Sequence, residues 1–127
     1  MMYEVKARYT EGDKTVKVHY LLDAELFAQA EVKAYEQLKD KADVDVISIK
    51  RSTIKEVIRE DNDLDYYVAT VSDTYIDDKG NEKIIRYKQL LPAATIGEAH
   101  EVINDYLNQG YDMRLDAIKL TTINAVL

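Results

Sequence analysis

Two histidines, His19 and His100, are the only imidazoles in this chain, and cysteine is absent. His100-Glu101-Val102-Ile103-Asn104 begins like the zinc-protease pattern HExxH. Asn104 stands where the second ligand is required, and one imidazole cannot hold the ion. His100 therefore reads as a helix-surface residue. Asp61-x-Asp63-x-Asp65 opens like a calcium loop, but Tyr66 replaces the glycine at its sixth position and Ser72 the bidentate glutamate at its twelfth. The oxygen cage cannot close, and the stretch reads as a solvated acidic turn. The glycines, at 12, 80, 97 and 110, are too scattered for a phosphate-cradling loop. Ser48, Ser52 and Ser72 lack the surroundings of an activated nucleophile, and the Asp77-Asp78 pair sits on a hairpin tip where water keeps the two carboxyls alike. Neither a catalytic set nor a metal or cofactor site is expected. The chain reads as non-enzymatic.

One constellation rises above this background. Alternation along the first two strands turns Lys6, Arg8, Lys17 and His19 outward, and the second half of the chain adds Arg86 and Lys88. Tyr9 and Tyr87 interleave with them and offer rings for stacking. Such a set can grip phosphates, which makes an anion or nucleotide site the functional reading. A solvated sheet face with cross-strand ion pairs, such as Glu4 with Lys17, explains the same residues, and so does a protein interface. The net charge of −7 opposes non-specific nucleic-acid binding, which needs a basic surface.

The elements that would carry these residues follow from periodicity. Residues 3–9 and 14–22 alternate apolar and polar, with Tyr3, Val5, Ala7 and Tyr9, then Val16, Val18, Tyr20 and Leu22, pointing inward. Phe27, Ala30, Ala34 and Leu38 then recur at helical spacing after Asp23, a candidate N-cap. A strand near 43–50 follows, and 52–58 fits a short strand or one helical turn. The second half repeats the plan: strand 66–75, a turn over 77–81, strand 83–91, a helix with the capping box Thr95-x-x-Glu98 and buried stripe Ile96, Ala99, Ile103, Tyr106 and Leu107, and strand 112–119. Gly110 suits a helix C-cap, and Pro92 falls between strand and helix.

A shift of 69 residues lays 12–58 on 81–127 without a gap. The identities are Lys14/Lys83, Leu21/Leu90, Leu22/Leu91, Ala24/Ala93, Ala30/Ala99, Leu38/Leu107, Asp43/Asp112, Ile49/Ile118, Lys50/Lys119, Thr53/Thr122, Ile54/Ile123 and Val57/Val126. Unrelated sequence would give roughly three such matches. Upstream, Tyr3-x-Val5 is matched to Tyr66-x-Val68. The expectation is a tandem duplication of a ββαβ(β) unit: one α+β domain over 1–127, with repeats 3–58 and 66–127 joined by an acidic linker at 59–65. The strands would form one mainly antiparallel sheet with both helices on one face.

The run Tyr3-Glu4-Val5-Lys6-Ala7-Arg8-Tyr9, with Tyr20-Leu21-Leu22-Asp23-Ala24, Ala30-Glu31, Ile49-Lys50 and Ile54-x-Glu56-Val57, resembles a small uncharacterised domain family of Bacteroides-type bacteria and their phages. The resemblance implies a bacterial or phage setting and no assigned activity. Absence of cysteine, of an apolar leader after Met1-Met2-Tyr3-Glu4 and of a membrane-length apolar run point to the cytoplasm. The functional expectation is a homo-oligomeric binding protein, phage- or mobile-element-encoded, that sequesters a small phosphorylated ligand such as a signalling nucleotide in counter-defence. A protein–protein adaptor or inhibitor working through strand edges is the alternative.

Overall fold

Half-buried alternating strands and two amphipathic helices account for most of the described residues. The computed structural model describes residues 1–108 and 113–127. In chain order the elements are β1 (Met2–Glu11), β2 (Lys14–Asp23), α1 (Phe27–Gln37), β3 (Ala42–Arg51), β4 (Ile54–Val57), β5 (Asp65–Ile76), β6 (Glu82–Ala93), α2 (Ile96–Leu107), β7 (Met113–Leu120) and β8 (Ala125–Val126). The fold is α+β with ββαβ order in each half. The strands divide into two four-stranded sheets, β3-β1-β2-β8 and β4-β6-β5-β7, rather than the single sheet expected.

The first unit comprises residues 1–52 and 122–127. Its hairpin sets Tyr3 opposite Leu22 and Lys6 opposite His19, and Gly12 closes the turn at φ 62°, a conformation that disfavours a Cβ. Tyr3, Val5, Leu22, Ala24, Ala30 and Ala34 form the core between sheet and α1. The fully buried alanines let the helix lie close to the strands. β8 arrives from the far end of the chain and pairs parallel to β2, with Tyr20 opposite Ala125 and Leu21 opposite Val126.

The second unit, residues 53–121, has the same plan. Tyr67, Ala69, Val71, Leu91, Ala93, Ala99, Ile103 and Leu107 fill its core under α2. Its parallel strand is β4, with Ile54 opposite Lys88 and Val57 opposite Leu90. Each unit's fourth strand is thus the segment that directly follows the other unit's last long strand. The chain passes between units at 52/53 and 121/122, not at the acidic stretch 59–65.

Several sequence expectations shift by a residue or a turn. Tyr67, not Tyr66, occupies the position of Tyr3, because Tyr67 faces Leu91 as Tyr3 faces Leu22. The Tyr66 hydroxyl instead donates to Asn62 Oδ1 at 2.7 Å. Asp23 is not a helix cap: β2 continues through it and its carboxylate binds the Met1 amino group at 2.7 Å. The cap position is Leu26, with the Gln29 carboxamide accepting from the Glu25 N–H. Phe27 and Ile96 begin their helices beyond the sheet and stay 53% and 46% exposed. Thr95 does cap α2, accepting from the Glu98 N–H at 3.1 Å. Pro92 lies inside β6, tolerated because β4 pairing stops at Leu90 and leaves that side without a ladder to interrupt. Gly110 and the start of the strand expected over 112–119 fall outside the described residues. No helix among the described residues is long and apolar enough to cross a membrane.

Candidate functional site

β3 does not run in simple alternation. Lys6 pairs with Ser48 and Ala7 with Val46, so Ile47 is the extra residue of a β-bulge. Val46 and Ile49 both face the core, and Ile47 is thrown onto the opposite sheet face, 52% exposed. The same irregularity recurs in the second unit between Thr70 and Val71, where Asp116 is the extra residue.

On the first unit's outer face, Ile47 meets Lys6 from β1, Lys17 and His19 from β2, and Thr122 and Asn124 from the tail leading into β8. Together they line a cavity of about 490 Å³. That volume is within the ordinary span of small-molecule sites, about 300–1,000 Å³. Among the described residues, neither Lys6 nor Lys17 has a carboxylate within ion-pair distance. A larger depression of about 720 Å³ lies along α1, but Asp23, Glu25 and Glu36 line it with a single lysine, Lys33, and it is shallower. It does not suit an anion.

His19 is the pivot of the cavity wall. Its Nε2 lies 2.9 Å from Glu4 Oε1 and its Nδ1 2.7 Å from Thr122 Oγ1. The other oxygen of Glu4 accepts from the Ser52 hydroxyl at 2.7 Å. An ionised carboxylate only accepts, so neutral His19 carries its proton on Nε2 and accepts from the Thr122 hydroxyl at Nδ1. Burial holds its pKa below the ordinary value; Glu4 pulls it upward, while Lys6 and Lys50 push it further down. The His19 backbone is clamped as well. Its N–H donates to Asn124 Oδ1 at 2.6 Å and its carbonyl accepts from the Asn124 N–H at 2.7 Å.

Lys6, Lys17 and His19 are therefore brought together in the first unit, and Arg8 and Tyr9 of the same unit do not join them. Arg8 is on the same face but is bound to Asp45, with Nη2–Oδ2 at 2.8 Å. Glu4 engages His19 and Ser52 rather than Lys17. Tyr9 turns to the helix side, packing near Ala7, Tyr20 and Leu38 with the Lys41 ammonium 5.1 Å from its ring. Alternation already placed it there, beside Tyr3 and Val5. Arg86, Tyr87 and Lys88 belong to the second unit. Tyr87 faces that unit's core with Lys55 over its ring at 4.5 Å, and Lys88 is half-buried opposite Ile54. Arg86 lies 3.7 Å from Asp116, which also accepts from Arg114 at 3.0 Å and from the Ser72 hydroxyl. These partners hold the Asp116 carboxyl below the usual range, the Ser72 hydrogen bond foremost.

Thr122, Asn124 and Ile47 were not singled out from sequence. Thr122 and Asn124 are polar positions alternating with the apolar Ile123 in a tail whose destination is non-local, and a bulge has no composition of its own here. Among the described residues, no group of three or more His, Cys, Asp and Glu side chains is arranged to hold a metal ion. No curated protein matches the chain. A family model does match, over residues 1–127, and the chain belongs to that family, a domain of unknown function designated DUF4494.

Proposed function

We propose that this protein is a non-enzymatic binding protein that holds a small phosphorylated anion, such as a signalling nucleotide, in the cavity beside Lys6 and Lys17. The carrying observation is local: two lysines with no carboxylate partner among the described residues flank a half-open, partly apolar cavity in a chain of net charge −7. Lysine ammonium groups are point donors to phosphate, and Ile47 supplies the apolar contact that an organic moiety needs. Thr122, His19 and Glu4 form a row with the composition of a hydroxyl–imidazole–carboxylate relay. The row also pins the tail to β2, and the nearest cations are flexible lysines rather than fixed N–H donors aimed at a developing oxyanion. Binding suits it better than catalysis.

In this reading the protein works in the cytoplasm, as a homo-oligomer, and a phage- or mobile-element origin would make it a counter-defence sequestering agent. Its two units descend from one duplicated segment, as the matched registers Tyr3/Leu22 and Tyr67/Leu91 favour. A second reading, an adaptor or inhibitor, draws on β3, a ten-residue strand with a strand neighbour on one side only in its sheet.

Native mass spectrometry of freshly purified protein, followed by thermal-shift screening against nucleotides and sugar phosphates, tests the proposal. A retained phosphorylated ligand, lost in Lys6→Glu/Lys17→Glu, supports sequestration. A clean polypeptide mass with no stabilisation by any phosphorylated compound rejects it. Capture through β3, blocked by a proline at an outward-facing N–H of that strand, would favour the adaptor.

A further inference from the structure

We infer that the C-terminal tail is the clamp of this cavity: Thr122 and Asn124 grip the phosphate of a phosphomonoester together with Lys6 and Lys17, and seating the phosphate tightens β8 against β2. The inference rests on the anion-binding reading above and adds to it a moving part.

β8 is two residues long, and Ile123 and Val126 of the tail are buried. Two residue pairs join it to β2, supported by the two Asn124 bonds to the His19 backbone, the Thr122–His19 bond and Leu127 N–H to the Leu21 carbonyl at 2.9 Å. The side chains of Thr122 and Asn124, just before β8, are also the tail's whole contribution to the cavity wall. Asn124 Oδ1 is committed to the His19 N–H, which fixes the orientation of the amide. Its Nδ2 donors make no hydrogen bond to another described residue and stay available to an oxyanion.

Thr122 supplies the switch. With His19 neutral, the threonine hydroxyl spends its proton on Nδ1 and shows lone pairs to the cavity. A dianion there favours a proton on Nδ1. The imidazolium then donates to the Thr122 oxygen, and the freed hydroxyl proton turns to the phosphate. The groups facing this imidazole are Glu4 and Lys6 on β1, Lys17 on β2 and Lys50 on β3; the tail brings only uncharged Thr122 and Asn124. Glu4 balances the new charge through its bond to Nε2. Proton, hydroxyl and tail therefore move with the ligand.

The experiment is calorimetric titration of the full chain with phenyl phosphate and with inorganic phosphate, in two buffers of different ionisation enthalpy at pH 6.0 and 7.5. Hydrogen exchange of the Asn124 and Leu127 amides accompanies it. The expected result for phenyl phosphate is net uptake of close to one proton per ligand at pH 7.5 and less at pH 6.0, where the ligand, with a second pKa of about 6, gives up part of a proton on binding as the dianion. Affinity should be at least fivefold tighter at pH 6.0, with at least tenfold slower exchange of both amides on binding. Asn124→Asp keeps an acceptor for the His19 N–H but replaces the donors with charge. It should keep its circular dichroism spectrum and lose binding at least tenfold. If neither phosphate compound binds the wild type, this inference and the anion-binding reading both fall. If binding depends on Lys6 and Lys17 but is indifferent to Asn124→Asp and leaves tail exchange unchanged, the clamp alone is overturned.

Discussion

Replacing Asn124 by alanine removes one side-chain oxygen, and the consequence can be worked from its surroundings. The His19 N–H, 2.6 Å from that oxygen, belongs to a residue only 9% exposed, so its lost acceptor is poorly replaced by water. A buried donor left unpaired costs about 1–3 kcal/mol. With an unfolding entropy of about 2.1 cal/mol/K per residue, 1 kcal/mol corresponds to about 4 °C for a chain of this size. Asn124→Ala should therefore lower Tm by about 4–12 °C. Thr122→Val deprives the imidazole of a partner at the cavity wall, where water can substitute, so its cost should stay nearer 0.5–1.5 kcal/mol, about 2–6 °C. The assay is thermal unfolding by circular dichroism for Tm, with urea unfolding for the free energies, accepting the latter only where the slope is unchanged. Lys14→Ala, at the exposed start of β2, is the control. A loss for Asn124→Ala no larger than that of the control would refute the claim that this side chain anchors the tail.

Three further outcomes follow from the same geometry. Because burial holds the His19 pKa below its ordinary 6.5, the unfolded chain takes up that proton first. The ligand-free protein should keep its full stability above pH 6.5 and lose part of it as pH falls toward the lowered folded value; His19→Gln should flatten that segment of a Tm–pH profile. Leu91→Ala, fully buried under α2, should cost about 2–5 kcal/mol in denaturant titrations, while Phe27→Ala, half exposed at its helix start, should cost under about 1.5 kcal/mol. Fragments 1–60 and 61–127 each lack the fourth strand of their own sheet, so neither should show cooperative unfolding alone, and mixing them should restore it, by circular dichroism and size-exclusion chromatography.

The local plan was legible because it is written in short-range periodicity. Alternation in Tyr3–Tyr9 and Val16–Leu22 placed both strands of the first hairpin, and the Thr95-x-x-Glu98 box marked the start of α2 to the residue. Lys6, Lys17 and His19 fell on one face for the same reason. What failed was non-local or a matter of one residue. Nothing in Thr122–Leu127 says that it pairs with β2 rather than continuing its own sheet, since parallel partners leave no turn between them. A single inserted residue at Ile47 flips which side chains reach the outer face, and alternation cannot report it. Tyr9 and Tyr87 were given a stacking role that their parity already denied them.

The two bulges explain why a binding site is expected in one unit and not its counterpart. Ile47 and Asp116 stand 69 residues apart in sequence and occupy the same extra position opposite the first long strand of their units, β1 and β5. In the second unit the bulge presents a carboxylate, and Arg86, Arg114 and Ser72 all converge on it. Those cations have their anion built in. In the first unit the bulge presents an apolar side chain, so Lys6 and Lys17 face a cavity with no internal counter-charge, and the tail's uncharged Thr122 and Asn124 complete the wall. An anion bound there would play toward the lysines the part that Asp116 plays toward the arginines. Ile47→Asp should then supply the missing carboxylate within the chain, leave the fold intact because the position is exposed, and compete with any external phosphate for Lys6 and Lys17.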